Sequence, residues 1–140
     1  MKTIGFTLMT LLSISSFAYE YKCVATGATN EEVVNFVVGD DYINGVSTEF
    51  IKFDSPIAWD RGINDSKYEI IYSTRLPDHS NHLYAGVLRF EERGFQRGYA
   101  VELILEFGGE NSGIGTLKAG DFLVSEGKLG KYKTYQVNCN

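Results

Sequence analysis

Proline, cysteine, histidine and tryptophan are all scarce here, with two, two, two and one copies among 140 residues. Two cysteines allow a single intramolecular pairing, Cys23 with Cys139, and a bridge between them leaves no thiol nucleophile. The two histidines, His79 and His82, stand near Asp78 in a segment that reads as a turn. With no third strong ligand beside them, the group reads as a polar hairpin loop rather than a metal site. Cations are outnumbered, at 13 Lys+Arg against 18 Asp+Glu. So acidic a chain is a poor partner for nucleic acid or an anionic membrane surface, whose phosphates it could not neutralise. Past the N-terminus no apolar run is long enough to cross a bilayer as a helix, and no stretch carries a sustained 3.6-residue period. Gly-x-Ser-x-Gly, phosphate-loop, dinucleotide and calcium-loop patterns are also missing. The expectation is therefore a binding protein rather than an enzyme, with no cofactor and no metal.

The first 18 residues read as a secretory signal peptide. Lys2 gives a positive start, Ile4 to Leu12 an apolar run, and Ser16 and Ala18 the small residues of a cleavage site. Lys2 is the only charged residue among them, so residues 19–140 carry a formal charge of −6. Export and an even cysteine count together predict one disulfide, Cys23–Cys139. The expected organisation is residues 1–18 as signal peptide and 19–140 as a single β-domain, secreted or periplasmic.

Short runs of Tyr, Val, Ile, Thr and Phe alternate with polar residues between Gly/Asn/Asp clusters, the pattern of strands and turns. Eight strands are expected, at about 19–26, 32–38, 42–53, 67–76, 82–91, 99–107, 116–125 and 132–139. The sixth is the clearest, with Tyr99, Val101, Leu103, Leu105 and Phe107 on one face. Gly39-Asp40-Asp41 reads as a turn, and Asn44-Gly45 as a bulge or an early turn. Tyr68, Ile70 and Tyr72 are placed on one core face, as are Tyr84, Leu88 and Phe90. The glycine-bearing stretches 94–98 and 108–113 read as loops. Both cysteines fall on apolar faces of terminal strands, where a bridge is natural if first and last strands are neighbours. Eight antiparallel strands with paired ends describe a small all-β barrel, a two-sheet sandwich being the alternative. An outer-membrane barrel fits less well. Several strands put charged residues on the face that would meet lipid, and the chain ends in Asn140 without a terminal aromatic.

Four places are candidates for partner binding. Arg93 and Arg97 flank Phe95, with Arg89 in the same series, at an expected hairpin tip. Trp59 stands alone in the long irregular segment 54–66, where it serves as an anchor or as a plug for one barrel end. Ser112 opens a glycine-rich loop. Tyrosine-rich strands form a surface or simply core. Adjacent acids such as Asp40-Asp41 point to opposite faces of a strand and share no site, and Glu102 and Glu106 mark the solvent side of the sixth strand.

Tyr21-Lys22-Cys23, Asn138-Cys139-Asn140, Ser112-Gly113 and Gly127 together resemble the periplasmic inhibitors of c-type lysozyme. That family consists of small exported β-barrels with an early Tyr-x-Cys and a late Asn-Cys joined by a disulfide. Its Ser-Gly loop enters the lysozyme cleft, which makes Ser112 the residue the resemblance would send to the lysozyme carboxylates. The chain departs from the pattern at Thr116, where the family has tyrosine, and at Glu126, where it has lysine. The span between the cysteines is also longer. Three functional classes follow: an exported module binding another protein or surface component, with lysozyme inhibition as its sharpest form; a carrier of a small apolar ligand inside the barrel; and an exported hydrolase.

Overall fold

Strict two-residue alternation makes a strand with one wet and one dry face, and closing such a sheet on itself buries every dry face at once. The computed structural model describes residues 20–29, 32–58, 62–75, 80–90, 96–109 and 112–140. It is all-β, with strands β1 (Glu20–Thr26), β2 (Val33–Ile43), β3 (Val46–Phe53), β4 (Lys67–Arg75), β5 (Ser80–Phe90), β6 (Gln96–Gly109), β7 (Ser112–Leu123) and β8 (Lys128–Cys139). Each strand pairs antiparallel with the next, and β8 returns to β1, so the eight form a closed barrel and not a sandwich.

The seam between β1 and β8 is short, running from Cys23↔Cys139 to Thr26↔Gln136. The backbones of Lys22 and Asn140 extend it by exchanging two hydrogen bonds, of 3.1 and 2.9 Å. Cys23 and Cys139 are direct register partners and are bridged, as the sequence predicts.

The interior is filled. Phe36, Phe53 and Tyr68 interlock, with ring centroids 5.3 and 5.7 Å apart. Ile51, Val101, Leu103, Leu105 and Leu117 close around them without measurable exposure. Each large apolar side chain so buried contributes about 1.5–3 kcal/mol. In β6 the expected inward set is observed at Tyr99, Val101, Leu103 and Leu105, all buried, while Glu102, Ile104 and Glu106 face outward. Residues 54–58 and 62–66 pack against the barrel. They are tied by Asp54 N to Asn35 O (3.0 Å) and Ile63 N to Ala58 O (3.2 Å), and they seat Ala58 and Ile63 in the core.

Four expectations are corrected. Gly39-Asp40-Asp41 does not turn the chain: β2 continues to Ile43, pairing Asp40 with Glu49 and Asp41 with Thr48. The turn is at Asn44-Gly45, whose φ angles of 52° and 82° are the left-handed pair of a two-residue hairpin. Asp40 is tolerated inside because Ser47 Oγ donates to its carboxylate at 3.0 Å.

In β4 the register slips between Ile70 and Tyr72. This bulge turns Tyr72 out of the core face assigned to it, leaving Ile71 and Tyr72 64% and 54% exposed. In β5 the core face is Leu83 and Ala85, and Tyr84 points outward. Glycine-bearing stretches read as loops lie partly in strand: Gln96, Arg97 and Gly98 belong to β6, Gly108 and Gly109 to its far end, and Ser112 and Gly113 to β7.

Candidate functional site

The barrel register gathers an aromatic band on the outer wall. Tyr72 of β4 is opposite Tyr84 of β5, Tyr84 is opposite Glu102 of β6, and Glu102 is opposite Lys118 of β7. Partners in an antiparallel ladder share a face, so these side chains lie in one row across the wall. His82 and Phe122 flank that row. The rings meet edge to face, at 6.0 Å for Tyr72–His82, 6.4 Å for His82–Tyr84 and 5.9 Å for Tyr84–Phe122. Lys118 Nζ lies 5.4 Å from the Tyr132 ring centroid, extending the band to β8.

Glu102 is the charge within the band. Its carboxylate is 3.3 Å from Lys118 Nζ and 3.7 Å from His82 Nε2. Burial, reinforced by the Glu102 charge, pushes the Tyr84 phenol above its ordinary pKa, so it is a neutral donor at any physiological pH. Among the described residues, Tyr84 Oη and His82 Nε2 make no hydrogen bond. Beyond His82 the wall continues as a shallow groove of about 810 Å³ lined by Val24, Ile104, Ile114, Thr116 and Gln136. Exposed apolar side chains therefore run across this wall from Ile71 and Tyr72 to Ile114 and Val24.

A second feature lies at the end of the barrel beside Ser55, Pro56 and Ile57. There Glu32, just ahead of β2, takes Tyr135 Oη at 2.8 Å and Lys133 Nζ at 3.0 Å on one carboxylate oxygen. The hydrogen bonds from Lys133 and Tyr135 hold the Glu32 carboxyl below its ordinary value of 4.5. A depressed carboxylate pKa stabilises the fold above the unfolded value, and that contribution is lost as pH falls through the folded one. The Glu32 side chain is 43% exposed, so solvent screening limits the effect to about 1 kcal/mol or less. The expected outcome is that Glu32→Gln lowers the urea midpoint at pH 6 and loses this effect at pH 3, where wild type and variant converge. Equal differences at both pH values would place the effect elsewhere.

The residues singled out from sequence are dispersed. Trp59, Arg93 and Phe95 lie outside the described residues, as do Asp78, His79 and segment 1–19. Arg97 is opposite Arg89 in the β5–β6 ladder, so the hairpin expected there exists. Ser112 is the first residue of β7, opposite Gly109. Gly127, with φ 63°, lies in the β7–β8 turn beyond the other end of β7. Ser112 and Gly127, which the lysozyme-inhibitor resemblance uses together, are thus separated by the length of that strand. His82 is on the outer wall, and no group of three metal-binding side chains occurs among the described residues. The band itself was not anticipated. Two signals for it exist: Ile70-Ile71-Tyr72 breaks the alternation of β4, and His82-x-Tyr84 sets both rings opposite Leu83 and Ala85.

The fold and its surface define a small antiparallel barrel, closed by one disulfide, with a filled interior and an aromatic outer wall. Comparison with protein-family models, curated proteins and solved structures found no match.

Proposed function

We propose that this chain is an exported, non-enzymatic β-barrel that binds a basic protein through the outer wall of β4–β8. The observation that carries the reading is the exposed aromatic band with carboxylates around it. Tyrosine is over-represented where proteins meet, and exposed apolar surface of this extent marks contact sites. Glu102 is opposite Tyr84, with Lys118 as the cation beside it, and Glu106 lines the groove farther along β6. Guanidinium groups of a partner would find ring faces to stack on and carboxylates to pair with. The formal charge of −5 on the whole chain favours encounter with a cationic protein.

The packed centre of the barrel, where Phe36, Phe53 and Tyr68 interlock, supports this reading over a carrier that holds an apolar ligand there. Apolar side chains inward and charges outward reverse the lipid-facing arrangement of a membrane barrel, supporting an aqueous setting. The signal-like N-terminus supports export, and the disulfide is consistent with an oxidising compartment.

The test is calorimetric titration of the oxidised protein with a c-type lysozyme and with cytochrome c as a second basic protein. Saturable binding to one of them, weakened by salt and about tenfold or more by Tyr72→Ala, supports the proposal. Tyr72 is exposed, so this variant keeps its fold. Absence of saturable binding to either protein counts against it. Lysozyme binding that survives Tyr72→Ala but is abolished by Ser112→Tyr would move the site to the β6–β7 hairpin and favour the inhibitor resemblance.

A further inference from the structure

We infer a separate small-ligand site at the end of the barrel beside Ser55, Pro56 and Ile57, fitted to a molecule with an anionic head and an apolar body. The cavity there measures about 500 Å³, within the range of ordinary small-molecule pockets. Val34, Pro56, Ile57 and Ala119 give it an apolar floor, and Lys131 and Lys133 line it with positive charge.

These two cations are not equivalent. Lys133 is held by Glu32 at 3.0 Å, which neutralises it. Lys131 has no carboxylate partner among the described residues and is exposed. Its placement has a structural cause. Gly120 is opposite Tyr132 and Phe122 opposite Leu129, so Gly130 and Lys131 together face the single residue Asp121. That is a β-bulge, a device that re-aims a side chain out of strict alternation. Gly120 makes the close approach there, since a side chain on it would run into Lys131 O and Tyr132 Cα. Among the described residues the barrel end thus carries an uncompensated ammonium beside a partly apolar recess lined also by Tyr99 and Tyr135. An anionic head would pair with Lys131 while its hydrocarbon or aromatic body displaced water from Val34 and Ile57.

This site is independent of the outer wall. The test is titration of the full oxidised chain with 8-anilino-1-naphthalenesulfonate, followed by competition with decanoate and with decanol. The expected result is one saturable site from which decanoate displaces the dye and decanol does so less well. Lys131→Gln weakens it about fivefold, and Val46→Ser, at the exposed β2–β3 turn, leaves it unchanged. In heteronuclear spectra, decanoate should shift Val34, Ile57 and Ala119 together. Three results overturn the proposal: equal competition by decanol, affinity indifferent to Lys131→Gln, or shifts that miss those three residues.

Discussion

Opening the Cys23–Cys139 bridge is expected to lower the stability of the folded barrel by about 4–5 kcal/mol, the largest single effect in the molecule. The two residues are 116 apart in sequence. In the chain-entropy account, a closed loop of that length removes about that much conformational freedom from the unfolded ensemble. Small domains are held by only about 5–15 kcal/mol in total, so the loss is a large share, corresponding to a fall in Tm of roughly 15 °C.

The native seam adds to the expectation. β1 and β8 are paired over four residues and by the Lys22–Asn140 backbone exchange, so little else joins the ends of the chain. Both cysteines are buried at about 2% exposure or less, and reductant reaches them only through opening. Urea denaturation of the oxidised protein, of the protein reduced while unfolded, and of the Cys23→Ala/Cys139→Ala variant separates the bridge from the packing of its sulfurs. The reduced form isolates the cross-link, and the double alanine adds a cavity term. Amide exchange at Lys22 and Asn140 should accelerate first. A loss below about 1 kcal/mol in the reduced protein would mean that hydrogen bonding and core packing close the barrel without the cross-link.

The bridge was also the part of the fold easiest to read. A cysteine near each end, each in phase with an apolar strand face, constrains the first and last strands to meet. β6 was equally plain, because its alternation runs from Tyr99 to Leu105 and matches the observed burial from Val101 onward, the small Ala100 being buried as well. Composition misled where it stood in for geometry. Gly39-Asp40-Asp41 has turn residues but no backbone requirement for a turn. Asn44-Gly45 supplies the two positive φ angles that a two-residue hairpin needs. The stretch from 108 to 113 reads as loop, yet Gly108 and Gly109 lie in β6 and Gly113 in β7, because absence of a side chain also suits a strand with a close neighbour.

The candidate surface was less legible for a different reason. Tyr72, Tyr84, Glu102 and Phe122 come from four strands and meet only through register. Register depends here on a bulge in β4 that shifts every later residue of that strand to the opposite face. Tyrosine itself carries no instruction about facing: Tyr68 is wholly buried and Tyr72 half exposed in the same strand. The Lys131 site has the same origin, since its bulge at Gly130 reads simply as a glycine in a polar segment. The disulfide closes the barrel, and two bulges decide what its outer wall and the Lys131 end present.

Gly115→Ala is expected to destabilise the barrel by about 3 kcal/mol or more, although it adds one methyl group. Gly115 is the fourth residue of β7, opposite Leu105 of β6 and Val137 of β8. A Cβ built there would run into the Ile104 carbonyl oxygen. It would also stand 2.9 Å from the Ile104 carbonyl carbon and 3.1 Å from Leu105 Cα. None of these is the movable end of a side chain. All are backbone of a strand paired on both edges, so relief requires β6 and β7 to separate where Leu103, Leu105 and Leu117 pack. Overfilling a core ordinarily costs about 1–3 kcal/mol, and an immovable neighbour puts this case at or above the top of that range. Gly127→Ala supplies the comparison. That glycine has φ 63° and open space around its missing side chain, so its cost is the conformational one alone, about 1–2 kcal/mol. Urea midpoints for the two variants, measured with the disulfide intact, distinguish close approach from backbone conformation. If Gly115→Ala costs no more than Gly127→Ala, β6 and β7 have room between them that this packing denies. If it costs clearly more, the missing side chain of Gly115 is what lets the barrel close at that radius.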